Sequence, residues 1–233
     1  GQTAKGTTPV IRDIGLKDVK IVGGKLIGAL LGTSYGAAIS DAYVTATDNN
    51  NKRSSVSGAG SSTGGLVGYS GSGTTTITDS YSDADVTVTT ASSGMIGGLV
   101  GQAKNTTITN CHTTGKVEGA SDYDNSVGGL VGRGTNVFVS NSYATGTVKS
   151  TTGDYVGGLI GESVSTTVDN SFATGNVTGG SSVGGLAGSG GNIDNCWASG
   201  NVTASEAITG TTTTAGIGGL VGTGGGYITR SFA

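Results

Sequence analysis

Apolar residues return along the chain in a repeated block, Gly-Gly-Leu-x-Gly. Close copies stand at residues 64–68, 97–101, 128–132, 157–161, 184–188 and 218–222, with a looser copy at 28–32. Their leucines form one series with separations of 27 to 36 residues: Leu30, Leu66, Leu99, Leu130, Leu159, Leu186 and Leu220. Self-similarity at such a period indicates a repeat architecture, in which each unit depends on its neighbours to bury its apolar face.

A second pattern follows each block: a β-branched residue, a polar one, Asn or Asp, a small residue, an aromatic and another small residue. It occupies residues 39–44, 77–82, 108–113, 139–144, 168–173, 193–198 and 228–233, with Arg230 in place of the amide in the last copy. In five copies a valine follows nine residues after the first position: Val86, Val117, Val148, Val177 and Val202. The differences in repeat length therefore fall between this valine and the next glycine block.

Three short apolar segments per repeat, with insertions at one corner, predict an all-β parallel β-helix, or β-solenoid, of about seven rungs with three short strands per rung. A β-propeller fits less well, because each of its blades needs about 40–45 residues and four strands. We expect residues 1–9 to be a flexible N-terminal arm and residues 10–233 to form a single solenoid domain.

Composition narrows the function classes. Glycine supplies 47 of the 233 residues, which disfavours helices, while 34% hydrophobic residues in regular columns indicate folding rather than disorder. The net charge of −3, with only 12% charged residues, predicts no nucleic-acid partner. The longest apolar run is far short of the roughly 20 residues of a membrane span. A surface rich in Thr, Ser, Gly and Asn predicts an extracellular or cell-surface location.

The blocks resemble the GLUG repeat, a family named for its Gly-Leu-x-Gly core. The resemblance rests on Gly65-Leu66-Val67-Gly68 and its counterparts, and on the Asn-Ser-Tyr-Ala-Thr-Gly-x-Val half at residues 141–148 and its variant at 170–177. It covers nearly the whole chain from about Val10. Such repeats occur in large secreted and surface proteins of microbes, including adhesin-like proteins and non-catalytic parts of some immunoglobulin A-cleaving metallopeptidases. The resemblance implies an architecture and a location, and it implies no activity.

The repeat places one aromatic residue per rung. This predicted structural column comprises Tyr43, Tyr81, His112, Tyr143, Phe172, Trp197 and Phe232. The sole histidine is best explained as a member of the stack rather than as a catalytic base. A column that faced outward would instead present aromatics to a glycan or a protein partner.

Two residues earlier lies a predicted Asn/Asp ladder, in which amides one rung apart hydrogen-bond and tolerate a left-handed corner. It comprises Asp41, Asp79, Asn110, Asn141, Asn170 and Asn195, with Asp13 before them. Cys111 and Cys196 share the intervening column of small residues. They should lie three rungs, or about 14 Å, apart, too far for a disulfide. We expect the leucine series to be the core column, although Leu and the following Val would point to opposite sides of a regular strand.

The sequence predicts no catalytic residue, no metal site and no cofactor. Asn105, Asn176 and Asn201 begin candidate glycosylation sequons.

The leading hypothesis is a non-catalytic extracellular structural protein, a rigid rod that stacks end to end into a filament or forms part of a surface stalk or adhesin. Its partners would be other copies, through open solenoid ends, or flanking repeats of a larger protein. The alternative is a glycan- or protein-binding adhesin module that recognises a glycan or surface receptor through corner loops or an exposed aromatic column. A polysaccharide-active β-helix enzyme is a remote alternative that rests on fold analogy alone.

Overall fold

The computed structural model describes residues 8–46, 53–89, 94–119, 126–150, 152, 154–205 and 216–233. These residues form β-strands and connecting turns, with no helix among them, and every strand pairing between them is parallel. The strands make three sheets, and each turn of the chain passes through all three. The predicted β-solenoid is therefore confirmed.

Two of the sheets have seven strands each. The strands of sheet I are β2 (Lys20–Gly23), β6 (Ser55–Gly58), β11 (Asp85–Val88), β15 (Val117–Gly119), β19 (Val148–Ser150), β24 (Val177–Gly179) and β29 (Val202–Ala204). The strands of sheet II are β3 (Leu26–Gly28), β7 (Ser62–Gly64), β12 (Met95–Gly97), β16 (Ser126–Gly128), β20 (Tyr155–Gly157), β25 (Ser182–Gly184) and β30 (Gly216–Gly218).

Sheet III has 18 strands, because most rungs cross it in two or three short segments. They are β1 (Val10–Lys17), β4 (Leu31–Ser34), β5 (Ala38–Thr45), β8 (Val67–Ser70), β9 (Thr75–Thr78), β10 (Tyr81–Ser82), β13 (Val100–Thr109), β14 (His112–Thr113), β17 (Val131–Ser140), β18 (Tyr143–Ala144), β21 (Ile160–Val164), β22 (Thr167–Asp169), β23 (Phe172–Ala173), β26 (Ala187–Ser189), β27 (Asn192–Asp194), β28 (Trp197–Ala198), β31 (Val221–Thr223) and β32 (Ile228–Thr229).

The strand register follows the sequence columns. Val168 pairs with Ile193, and Ile39 pairs with Ile77, although the second pair is much farther apart along the chain than the first. Repeats of clearly different length thus stack without a shift in register, because the extra residues lie in connections outside the paired strands. Several of those connections, and residues 1–7 of the predicted arm, lie outside the described residues. The domain boundary at residue 10 stays a prediction.

The leucine column lines one continuous core. Its members in the five inner rungs are buried, and those of the two outer rungs, Leu30 and Leu220, are partly buried. The residue after each inner leucine is buried as well, as for Leu66 and Val67. The expected opposition of Leu and Val therefore does not occur, because the leucine lies in a bend between sheets II and III rather than in a strand.

The glycines of the block make this bend possible by leaving room for backbone. A Cβ atom on Gly129 would lie 2.0 Å from the carbonyl oxygen of Gly158, one rung on, and one on Gly98 would lie 2.1 Å from that of Gly129. Neither glycine has a positive φ. The block therefore requires glycine for space between rungs, not for an unusual backbone conformation.

Candidate functional site

The aromatic column forms one stack along the outside of sheet III. The sequence positions each ring by alternation: Ala42 and Val44 are buried, and Tyr43 between them points outward. Consecutive rings have centroids 4.5 to 6.3 Å apart and are within 9° of parallel. The five middle rings are half-buried, whereas Tyr43 and Phe232 are exposed.

The stacking leaves ring edges, rather than ring faces, towards solvent. A ring with a parallel neighbour at about 5 Å on each side has both faces occupied. At the N-terminal end the ring of Tyr43 lies against Gly15, where an added Cβ would be 2.3 Å from its Cζ. A sugar that needs a free aromatic face has little to contact along this column, except at Phe232.

His112 sits between Tyr81 and Tyr143, at 4.8 Å from each ring. Burial lowers the pKa of His112, and the nearby Asp83 carboxylate opposes this only in part. The neutral imidazole is therefore favoured inside the stack. The pKa of Tyr81 is raised by burial first and then by Asp83 and Tyr43.

The Asn/Asp column marks a kink in every rung. All six predicted members are exposed and have φ between 47° and 55°, and Asp13 and Arg230 share the left-handed conformation. The side-chain hydrogen bonds form only part of a ladder: Asn110 Nδ2 donates to Asp79 Oδ1 over 3.0 Å, and Asn195 donates to Asn170. The backbone conformation, rather than a continuous amide ladder, is what the column members share.

A hydroxyl column inside the kink was not recognised in the sequence. Ser142 accepts a hydrogen bond from the Cys111 amide of the preceding rung over 3.1 Å, and donates its own proton to the Ser140 carbonyl over 2.8 Å. Ser80, Ser171 and Ser231 make the same two contacts. Each serine thus supplies an acceptor for a backbone amide of the neighbouring rung, and Ser142, Ser171 and Ser231 donate their own protons to carbonyls that also accept a backbone amide.

Two cysteines replace serine in this column. Cys111 and Cys196 are buried and free, with no disulfide between them. Burial raises the pKa of Cys111 to about 12 and that of Cys196 to about 11. Thiols with such pKa values stay protonated at neutral pH and are poor nucleophiles.

The sequons differ in their surroundings. Asn105 is half-buried and its Oδ1 accepts from Asn136 Nδ2 over 2.8 Å. Asn176 and Asn201 are exposed, and Asn176 Oδ1 accepts from the Asn201 amide over 3.0 Å. Glycosylation stays a prediction at all three.

A second surface feature lies at the corner between sheets II and III, and sequence analysis missed it. It is a depression of about 400 Å³, here called the corner groove, lined by Gly94, Met95, Ser126, Arg133, Asp154, Tyr155 and Glu162. Arg133 Nε lies 3.3 Å from Glu162 Oε2 in an ion pair without a hydrogen bond, and Oε2 accepts a hydrogen bond from Ser126 Oγ over 2.8 Å. The sequence contains a sign of this pair. The residue directly after the glycine block is charged in only two repeats, which are adjacent and supply Arg133 and Glu162.

Within the described ranges, no three His, Cys, Asp or Glu residues are grouped so as to hold a metal ion. None of the described elements is a helix long and apolar enough to cross a membrane.

Residues 92–118 and 152–178 match the GLUG motif family, which confirms the resemblance inferred from the glycine-leucine blocks. The fold is similar to the crystal structure of a putative immunoglobulin A1 protease from Bacteroides ovatus, with a TM-score of 0.64 and 23% sequence identity over 93% of this chain and 67% of that chain. At this identity the likeness concerns the fold. No curated protein matches the sequence.

Proposed function

We propose that this chain is a non-catalytic structural protein of the cell exterior, a rigid rod that extends by stacking the end rung of one copy on the first rung of another. GLUG-repeat proteins are typically secreted or surface proteins, which supports the location. The β-solenoid supports the mechanical role, because a backbone ladder and one core run through all rungs in a single register.

The observation that carries the proposal is the exposure of core positions on the outer face of the last described rung. Val183 is 0% exposed, but its partner in the last rung, Ile217, is 45% exposed. Ile193 is 1% exposed and its partner Ile228 is 45% exposed. Exposed apolar residues beside open strand edges favour association with another strand.

A second copy would also bring opposite charges together at the joint, in addition to the ion pairs that Arg230 makes with Asp194 and Asp13 makes with Arg12. Arg230 and Asp13 belong to the same column and have the same left-handed conformation, at opposite ends of the stack. If one rod continued the register of another, Arg230 would lie next to the partner copy's Asp13. The exposed core positions of the last rung would be covered at the same time.

The non-catalytic assignment rests on the stack and the thiols. The imidazole of His112 is held between two rings, and the two cysteines are buried with raised pKa values. None of these groups is exposed and activated as a nucleophile or general base requires.

The test is the molar mass of the purified chain by light scattering over a concentration series, with negative-stain electron microscopy. We expect mass to rise with concentration and thin unbranched rods to lengthen. Asp13→Arg should suppress this growth, because it sets two arginines against each other. Asn141→Arg is the matched control, since it makes the same side chain at an exposed left-handed position of the same column far from the ends. A monomer at every concentration, or equal growth of both variants, would refute the proposal.

A further inference from the structure

The corner groove has a feature that the rod itself does not need. Arg133 and Glu162 pair with each other across adjacent rungs and belong to a column that otherwise contains uncharged residues. The preceding members of that column are Tyr69 and Gln102, and Gln102 pairs with Arg133. A partly exposed ion pair of this kind stabilises a fold by only about 0–1 kcal/mol. The corner hydrogen bond of Glu162 to Ser126 recurs in uncharged form between Gln102 and Ser62 and between Thr223 and Ser182, so the rung requires a hydrogen-bonding side chain here but not a charged one.

We infer that the corner groove is a binding site for a neutral saccharide, held through two neighbouring hydroxyl groups and the face of one sugar ring. Its volume of about 400 Å³ lies within the range of small-molecule sites. The chemistry of recognition divides between Tyr155 and the Arg133–Glu162 pair.

Tyr155 differs from the stacked aromatics in what lies above and below it. Its partners in the adjacent rungs are Ser126 and Ser182, whose side chains are too small to cover a phenol ring. In the described part of the chain no aromatic ring stacks on Tyr155. Among the described residues its ring is thus not sandwiched as those of the aromatic column are, and a sugar in the groove would pack its C–H groups against this ring.

The ion pair presents both kinds of hydrogen-bonding group. The contacts of Glu162 within the described residues are both on Oε2, so Oε1 remains an acceptor. Arg133 makes its contact through Nε, and its two terminal nitrogens have no hydrogen-bond partner in the described ranges. A carboxylate beside a guanidinium matches a vicinal diol, in which one hydroxyl donates to the carboxylate and the next accepts from the guanidinium.

The local charge selects against ionic ligands. Among the described residues that line the groove, Glu162 and Asp154 are acidic and Arg133 is the one basic residue. A phosphate or sulfate would meet this excess, whereas a neutral sugar would not. Arg133 is already paired with a carboxylate, which further lowers its attraction for an anion.

The test is saturation-transfer NMR and a titration of the full chain with methyl glycosides of mannose, galactose and glucose at millimolar concentrations. Tetrahydropyran-2-methanol, which has a ring but no vicinal diol, is the control probe. We expect at least one glycoside to bind saturably and the control probe to give no saturable signal.

Variants that copy neighbouring rungs locate the site. Tyr155→Ser gives the groove the residue present one rung away on either side, and Glu162→Gln gives it the residue found at Gln102. Both should fold normally and weaken binding at least tenfold. Tyr35→Ser removes an exposed tyrosine elsewhere and should change nothing. The inference fails if no glycoside binds, if the two groove variants bind like the parent chain, or if the control probe binds equally well. It is independent of rod assembly, since Tyr155→Ser should leave the molar mass series unchanged.

Discussion

Replacing Gly129 by alanine tests the idea that the glycine block is required for space. The added Cβ would lie 2.0 Å from the Gly158 carbonyl oxygen and 2.8 Å from the Ala144 Cβ, where about 3.4 Å is the ordinary limit. Two neighbouring rungs must therefore separate by about an ångström. The amide of Gly129 is bonded to the Gly157 carbonyl over 3.2 Å, and that of Leu130 to the Leu159 carbonyl over 2.8 Å, so both bonds would be strained.

The magnitude follows from these two effects. Overpacking against rigid backbone costs about 1–3 kcal/mol, and two weakened hydrogen bonds add about 1 kcal/mol each. We expect the free energy of unfolding to fall by about 3–5 kcal/mol, which lowers the melting temperature of a chain of this size by roughly 6–20 °C.

Gly24→Ala is the matched control, because no atom lies within 4 Å of its added Cβ and its φ is not positive. It should be neutral or stabilise by up to about 1 kcal/mol, through the unfolded chain. Urea and thermal unfolding followed by circular dichroism measure both variants. Indistinguishable stabilities of the two variants would show that the block is not sterically constrained, and the argument from close rung packing would be wrong.

Three further predictions concern the kink and the stack. Ser142→Ala should lower the free energy of unfolding in urea by about 1–3 kcal/mol, because the buried Cys111 amide loses its acceptor. Cys111→Ser should be neutral or stabilising. Equal losses from both variants would contradict the role given to the serine hydroxyls. Asn141→Val should destabilise the chain by about 1–2 kcal/mol more than Asn141→Gly, because φ there is 49°. His112→Tyr should reduce the loss of stability between pH 7.5 and pH 5, measured as a shift in melting temperature. The folded-state pKa of this histidine is lowered, so the unfolded chain binds the proton more readily and stability is lost as pH falls below about 6.5. An unchanged pH dependence in the tyrosine variant would exclude His112 as a source of it.

The repeat could be predicted from the sequence because rung stacking requires equivalent residues to pair. The columns through Ile77 and Ile108, or Tyr81 and His112, are the pairs of the strand register. Side-chain direction was harder to predict, because period-two alternation applies only inside strands. It fails at the bend that buries both Leu66 and Val67.

The candidate surfaces were less predictable than the fold. The rings of the aromatic column stack face to face. This stacking depends on the side-chain rotamer of each ring, which a column of residue types does not specify. The corner groove joins residues after one glycine block, such as Glu162, to residues before another, such as Ser126. Their proximity arises from the way the bend folds sheet II against sheet III.

The aromatic stack also gives the protein an intrinsic fluorescence signal that depends on rung stacking. Trp197 is the only tryptophan, and it sits near one end of a row of rings with Phe172 at 4.5 Å and Phe232 at 6.3 Å. Tyr143 lies two rings from Trp197 in this row, so we expect light absorbed by its phenol to be transferred to the indole, which emits at a longer wavelength. Tyrosine-excited emission from Trp197 therefore reports whether the intervening rungs are still stacked. Opening of rungs in the middle of the rod would restore tyrosine emission before the indole itself is exposed to water.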